Sequence, residues 1–358
     1  MKILFLYTKF DSALKERIRL LKAHNAEVSA LSLLEYKLIE DAQTTQLEPV
    51  SKLEFLEKYS PKLRVLNRIF KRKSLLSSLD DYDIIDLYKC EKSALFIVDE
   101  IREKCYDFFV TISPEESKPN LLITQFYQYL YNKARFLIFN TSASKENFAY
   151  QHEEKSRLIY DGVPLLDAID QISQEAIFKA SHAMGLDLDK DIIYCDMSGT
   201  LETQMCLIDD LMTLPIHRLR QSTFIFHLNA HTLEERKALK AHLAGKNFDY
   251  LLIEALLTAK QIALLFSIAD TSLILSNSPA LIVSLYSKNL TYLYGDIMID
   301  ARMTREKLFI ENFEAFKEQH EQNSAITDDL LEKNREKIAA YFTPDASINS
   351  YIEVIREV

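Results

Sequence analysis

Glycine is nearly missing from this chain. Its 358 residues hold five (Gly162, Gly185, Gly199, Gly245 and Gly295), where the usual frequency of about 7% would place about 25. No two stand close enough to share a GxGxxG or GxxxxGKS/T loop. Those loops need glycine because their backbone approaches phosphate closely, often at positive φ. Dinucleotide-binding Rossmann enzymes, P-loop ATPases and kinases are therefore excluded. A cationic surplus is also missing: 43 Lys and Arg face 53 Asp and Glu, a net charge of -10, so no global field draws the chain to nucleic acid or anionic lipid. Cysteine is sparse, and Cys90, Cys105, Cys195 and Cys206 lack CxxC spacing. Their apolar neighbours suggest buried free thiols in a reducing compartment. No apolar run reaches 18 residues, and the opening run is too short for a signal-peptide core. The expectation is a cytoplasmic protein, at most peripheral at the inner face of a membrane, with two domains at this length.

What is present alternates regularly. Residues 2–7 (KILFLY) read as a buried strand, 11–24 carry Leu14, Ile18, Leu20 and Leu21 at helical spacing, and Val28 to Leu33 returns to strand. Asn25 stands where glycine would close the helix, and asparagine is the best substitute for a left-handed residue. Strands at Tyr82 to Leu87, Phe108 to Ile112 and Arg135 to Phe139 follow, with helices between them. A second series starts near 190. Its strands read at Asp191–Cys195, Ser222–Leu228, Tyr250–Ile253, Ser272–Leu275 and Thr291–Leu293. Thr232 with Glu235 forms a capping box, and Pro279 opens a further helix. Short continuous apolar strands separated by helices imply parallel sheets covered on both faces. The tail from 325 is helical and breaks at Thr343-Pro344.

Several stretches, in order and with their spacing, resemble one family. Leu21-Lys22-Ala23-His24-Asn25-Ala26-Glu27-Val28 and Tyr82-Asp83-Ile84-Ile85-Asp86 come first, then Ala134 to Ser142 followed by Ile159-Tyr160-Asp161-Gly162-Val163. Met184-Gly185-Leu186-Asp187, Ser267-Ile268-Ala269-Asp270 with Ser276, and Asn334 to Phe342 with Tyr351-Ile352-Glu353-Val354 complete the series. The chain resembles the retaining glycosyltransferases of the GT-B fold, in particular family 4. The resemblance implies an α/β chain with two Rossmann-like domains facing across a cleft: an acceptor-side domain at 1–165, a donor-side domain at 166–335 and a helix at 336–358 crossing back to the first. It also implies transfer of a sugar from a UDP-, GDP- or CMP-linked donor to a glycan, lipid-linked or protein acceptor, with no bound metal or other cofactor.

The family's donor-site residues are replaced here. Its phosphate-holding Arg and Lys correspond to Cys195 to Thr203, which has no cation and carries Asp196 and Glu202. Its two donor-pocket glutamates correspond to Ser276 and Ser284. Thr8-Lys9-Phe10-Asp11 and Ser113-Pro114-Glu115-Glu116 stand where the family has a glycine pair and an "HG" turn. The missing glycines thus map to ligand loops, and turns take asparagine or lysine instead. The candidate donor-binding residues are Lys9, Asp196, Ser198, Gly199, Glu254, Ser276, Asn277, Ser278 and Ser284, with Glu115 and Glu116 as candidate catalytic acids or bases. Ser276-Asn277-Ser278-Pro279 precedes a helix whose N–H groups suit an anion, although Ser278 also reads as a plain N-cap. His227 and His231 have the wrong local structure to share a metal.

One segment departs from the acidic average. Lys62, Arg64, Arg68, Lys71, Arg72 and Lys73 put six cations in twelve residues, with Leu66, Ile69 and Phe70 on one helical stripe. Arg68, Lys71, Arg72 and Lys73 are candidate contacts to an anionic leaflet, against the alternative of a core-facing helix with a solvated basic side. Two functions remain: a nucleotide-sugar-dependent glycosyltransferase, or a catalytically inactive GT-B-like partner subunit or glycan- or peptide-binding module.

Overall fold

The computed structural model describes residues 1–7, 10–32, 37–40, 43–46, 82–89, 107–112, 130–148, 152–228, 232–276, 278–318 and 327–358. These form two compact units, Met1–Gly162 with Ser347–Val358, and Val163–Ala346.

The first unit opens with β1 (Lys2–Tyr7), α1 (Ser12–Ala23) and β2 (Glu27–Ser32). A hairpin of β3 (Lys37–Glu40) and β4 (Gln43–Gln46) follows, then β5 (Ile84–Tyr88), β6 (Asp107–Ile112), β7 (Phe136–Phe139), α2 (Ser142–Phe148) and β8 (Ser156–Leu158). The sheet order is β4-β3-β2-β1-β5-β6-β7-β8. Pairing is parallel from β2 to β8, and β3 and β4 add an antiparallel edge that alternation alone did not reveal. β1 is buried from its second residue onward, as a central strand covered on both faces must be. The helix after it is closed by Asn25 at φ 63°, the left-handed conformation expected of it. Lys89, Lys288 and Lys307 adopt the same region. Turns that glycine usually makes are here made by asparagine and lysine, at a steric cost of about 1–2 kcal/mol per residue.

The second unit starts with α3 (Leu165–Asp170) and α4 (Gln174–Ala183). Then come β9 (Asp191–Asp196), α5 (Leu201–Leu211), α6 (Ile216–Gln221), β10 (Ser222–His227), α7 (Leu233–Leu243) and β11 (Asp249–Ile253). It continues through α8 (Ala259–Ile268), β12 (Thr271–Ile274), α9 (Pro279–Tyr286), β13 (Leu290–Leu293), α10 (Ala301–Arg305), β14 (Glu311–Asn312), α11 (Phe313–Glu318) and α12 (Thr327–Phe342). Its sheet is parallel throughout, in the order β11-β10-β9-β12-β13-β14. The capping box of Thr232 and Glu235 forms at α7, and Thr258 with Gln261 makes another at α8. Cys195 is buried in β9, but Cys206 on α5 is exposed, because it falls on the outer side of a helix whose inner face is Gln204, Leu207, Ile208 and Leu211. Cys90 and Cys105 lie outside the described residues.

The last helix, α13 (Pro344–Arg356), brings the chain back to the first unit from Ser347; residues 336–346 stay with the second. Its Ile348, Tyr351, Val354 and Ile355 join Phe5, Leu21, Tyr88 and Phe109 in one core. Tyr351 stacks on Phe5 at 6.0 Å between ring centres and donates its hydroxyl to Asp86 Oδ2 at 2.6 Å. Asp86 has no exposure and also accepts from Thr111 Oγ1 at 2.9 Å. Burial pushes the Asp86 carboxyl up, against the Arg17 charge and these hydroxyls. Removing one donor should therefore be felt. Tyr351→Phe is expected to cost about 1–3 kcal/mol and Tyr351→Ala about 3–5 kcal/mol, through the added cavity. Urea unfolding at pH 7 measures both, and a Tyr351→Phe midpoint equal to wild type would show that the hydroxyl does not help to hold α13.

Candidate functional site

In an open parallel sheet, ligands bind beyond the carboxyl ends of the strands where the chain order reverses. In the second unit that point lies between β9 and β12, since β9 is flanked by β10 on one side and β12 on the other. Five of the candidate residues converge there. Asp196 ends β9, Ser198 and Gly199 follow it, Ser276 follows β12, and Ser278 precedes α9. Ser198 Oγ donates to Asp196 Oδ2 at 2.5 Å and lies 2.5 Å from Ser276 Oγ. Ser278 Oγ donates to the same carboxylate oxygen at 3.3 Å. Ser278 is thus not a plain N-cap: its hydroxyl caps none of the α9 N–H groups and turns to Asp196 instead.

The loop is fixed from beneath. Gln204, buried on α5, donates to the carbonyl oxygens of Met197 and Gly199, both at 2.7 Å. Thr200 caps α5 through the Thr203 N–H. Asp196 is 6% exposed. Burial pushes its carboxyl up, opposed by the Ser198 and Ser278 hydroxyls and the Leu275 and Ser198 N–H groups. Among the described residues Asp196 forms no salt bridge, and the edge is a run of hydroxyls around one buried acid.

The other candidates fall elsewhere. Ser284 has no exposure and its Oγ lies 2.7 Å from Thr291 Oγ1, so it joins α9 to β13 rather than the edge cluster; five residues into the helix, it has turned inward. Glu254 follows β11 and pairs with Lys240 Nζ at 2.6 Å, while its carbonyl accepts from Arg236. His227 ends β10 in register with Asp196. Lys9, Glu115, Glu116, Asn277, His231 and the basic residues Arg68, Lys71, Arg72 and Lys73 lie outside the described residues. Among the described residues there is no group of three or more His, Cys, Asp or Glu able to hold a metal.

The first unit has an equivalent point between β1 and β5, and it is charged. Lys89 Nζ reaches Asp11 Oδ2 at 3.0 Å and Asp161 Oδ2 at 3.4 Å. Asp161 also accepts from Arg17 Nη2 at 3.1 Å and from Asn140 Nδ2 at 2.5 Å. Asp11 accepts from Tyr88 OH at 3.1 Å and from the Leu14 N–H at 2.8 Å. Burial pushes the Asp11 carboxyl up, but that N–H and Lys89 outweigh it and hold it below the usual range. Sequence reading missed this cluster. The one available signal was Arg17 itself, which interrupts the apolar stripe of Leu14, Leu20 and Leu21 on the inner face of α1.

No protein-family model matches the chain. No curated protein matches it. Solved structures do. A glycosyltransferase from Rickettsia africae ESF-5 aligns with a TM-score of 0.72 over 99% of this chain and 98% of its own, at 14% identity. HepE from Anabaena, in complex with UDP, gives 0.66 over all of both chains at 14% identity. An E. coli trehalose-6-phosphate protein bound with UDP-2-fluoro glucose gives 0.68 over 100% and 99% at 11% identity. These are GT-B proteins, and at such identities the likeness establishes the fold. The chain has the GT-B fold, with two Rossmann-like units and a terminal helix that returns to the first.

The Asp196 environment has a measurable consequence. With a native pKa raised above the unfolded value of about 4, the native state binds more protons, so this group's contribution to stability falls as pH rises through that window. Asp196→Asn lacks the effect. Between pH 4 and pH 7.5 the urea midpoint of the variant, relative to wild type, is expected to move in the variant's favour. A constant difference would contradict the raised carboxyl.

Proposed function

We propose that this chain is a glycosyltransferase that binds a nucleotide-sugar donor at the β9/β12 edge of its second unit and passes the sugar to a glycan, lipid-linked or protein acceptor. One observation carries the reading: the whole length of the chain aligns with GT-B structures, among them HepE complexes with UDP and with UDP-glucose. The local chemistry supports it in a modified form. The start of α9 offers N–H groups without a side-chain cap, and a helix start attracts phosphate through those groups and the helix dipole. Protein groups would then offset the donor's charge without a bound metal. Lys9, Glu254 and Asn277 remain donor-site candidates, and Glu115 and Glu116 catalytic ones. Membership of family 4 is part of the same proposal.

A second reading is favoured by a specific feature. The edge carries a buried carboxyl and hydroxyls where a diphosphate would want cations, which suits an inactive partner subunit or glycan- or peptide-binding module. Thermal unfolding with UDP-, GDP- and CMP-sugars separates the two. A donor at 100 times its dissociation constant stabilises by about 2.7 kcal/mol, and an enzyme would also release nucleotide when given an acceptor. Stabilisation without release points to a binding module, and no stabilisation by any of them ends the donor reading.

Among the described residues no helix is long and apolar enough to cross a membrane. The basic stretch from Lys62 to Lys73 supports a peripheral contact with an anionic leaflet at the cytoplasmic face. Flotation with anionic liposomes is expected to weaken in Arg72→Ala/Lys73→Ala by about thirtyfold, at about 1 kcal/mol for each of the two basic residues near the surface. Unchanged flotation would end the membrane proposal.

A further inference from the structure

The hydroxyls at the β9/β12 edge form a chain with a direction. Ser198 has one hydroxyl hydrogen, and it goes to Asp196 Oδ2. The contact between Ser198 and Ser276 must therefore be donated by Ser276. Ser278 also donates to Asp196. The order is Ser276 to Ser198 to Asp196, with Ser278 joining from the other side. While Asp196 is ionised, all three hydroxyl hydrogens point inward, and the half-exposed rim of Ser276, Ser278 and the exposed Ser198 offers lone pairs outward. That rim suits a hydrogen-bond donor and repels phosphate oxygens, and Asp196 already stands as an anion beside the start of α9.

We propose that a diphosphate binds at this edge only together with a proton taken up by Asp196. The inference rests on the donor-site reading above and adds a regulation to it. The proton comes from solvent and lands on the carboxylate. Protonated Asp196 then donates to Ser198, Ser198 no longer needs its hydrogen for Asp196, and hydroxyl hydrogens turn outward to the phosphate oxygens. The same proton removes the charge that opposed the ligand. Burial of Asp196, which already favours its neutral form, reduces what the ligand must supply.

The other titratable groups around Asp196 can be named. On β9, Tyr194 and Cys195 are both pushed up by burial and by the Asp196 charge, so both stay neutral near pH 7. On β10, His227 is in register with Asp196. Glu202 is exposed in the first turn of α5. β12 and the start of α9 present only Leu275, Ser276 and Ser278 among their described residues.

The probe is UDP-glucose, whose phosphates do not titrate near neutral pH. Isothermal calorimetry from pH 7 to pH 8.5, in buffers of different ionisation enthalpy, is expected to show uptake of about one proton and a dissociation constant that rises about tenfold per pH unit. Asp196→Asn should bind with little pH dependence and no uptake, whereas His227→Gln should keep both. Binding by wild type without proton uptake overturns the proposal and leaves the donor reading intact. Uptake that persists in Asp196→Asn, or disappears only in His227→Gln, overturns it as well. Absence of UDP-glucose binding from pH 6 to pH 8.5 overturns the proposal, and the donor reading falls with it only when GDP- and CMP-sugars also fail to stabilise the protein. Should Asp196→Asn fail to fold, uptake by wild type that persists in His227→Gln supports the proposal, and its absence from wild type or loss in His227→Gln overturns it.

Discussion

Arg17 is a full positive charge withdrawn from water, and groups from across the first unit gather to compensate that charge. The guanidinium sits on the inner face of α1, bound to Asp161 and lying over the rings of Tyr88 and Tyr351, 5.4 and 4.9 Å from their centres. Burial pulls its pKa down, but Asp161 and the neighbouring groups outweigh that and hold it above the ordinary value. A buried cation without such partners would cost several kcal/mol. Because Tyr351 belongs to α13 and Asp161 immediately precedes the end of the unit's first segment at Gly162, both places where the chain leaves or re-enters this unit are tied to one side chain. Tyr351 then completes the set by donating to Asp86.

The two units use the same topological position in opposite electrical ways. At the β1/β5 point, carboxylates meet cations: Asp11 and Asp161 share Lys89, and Asp161 also holds Arg17. Each charge there has a partner of the other sign. At the β9/β12 point a single acid meets hydroxyls and backbone N–H groups. Hydrogen bonds to neutral donors stabilise a carboxylate without cancelling its charge, so the surrounding potential stays negative when it is ionised. This contrast distinguishes the two edges more than the scarcity of glycine does.

The scarcity of glycine has a different meaning at turns and at ligand loops. At turns the backbone still takes the left-handed conformation, through Asn25, Lys89, Lys288 and Lys307, and a modest strain is carried by the surrounding packing. Lys89 shows that such a residue also contributes chemistry, since its side chain bridges the two carboxylates. At the β9 loop, Gly199 persists, but its neighbours are serine and threonine, and order comes from Gln204 beneath the backbone.

Periodicity along the chain was enough to determine two parallel α/β units, the central strands, the helix starts at Thr232 and Pro279, and the left-handed Asn25. These depend on contacts within a few residues, on strand burial and on cap chemistry, all of which local sequence encodes. Asp196, Ser198, Ser276 and Ser278 were named as candidates through the family resemblance and the helix start at Pro279, and the structure brings them together, Asp196 at the end of β9 and the others in the loops after β9 and β12. Only the tertiary structure decided the rest. It turned Ser278 from a cap into a donor to Asp196, sent Ser284 into the interior, exposed Cys206, and joined Arg17, Lys89, Asn140 and Asp161 from four separate parts of the chain. Direction of a hydrogen bond and the partner of a buried charge depend on which elements meet across the sheet, and that order is fixed by crossover connections rather than by any local run of residues.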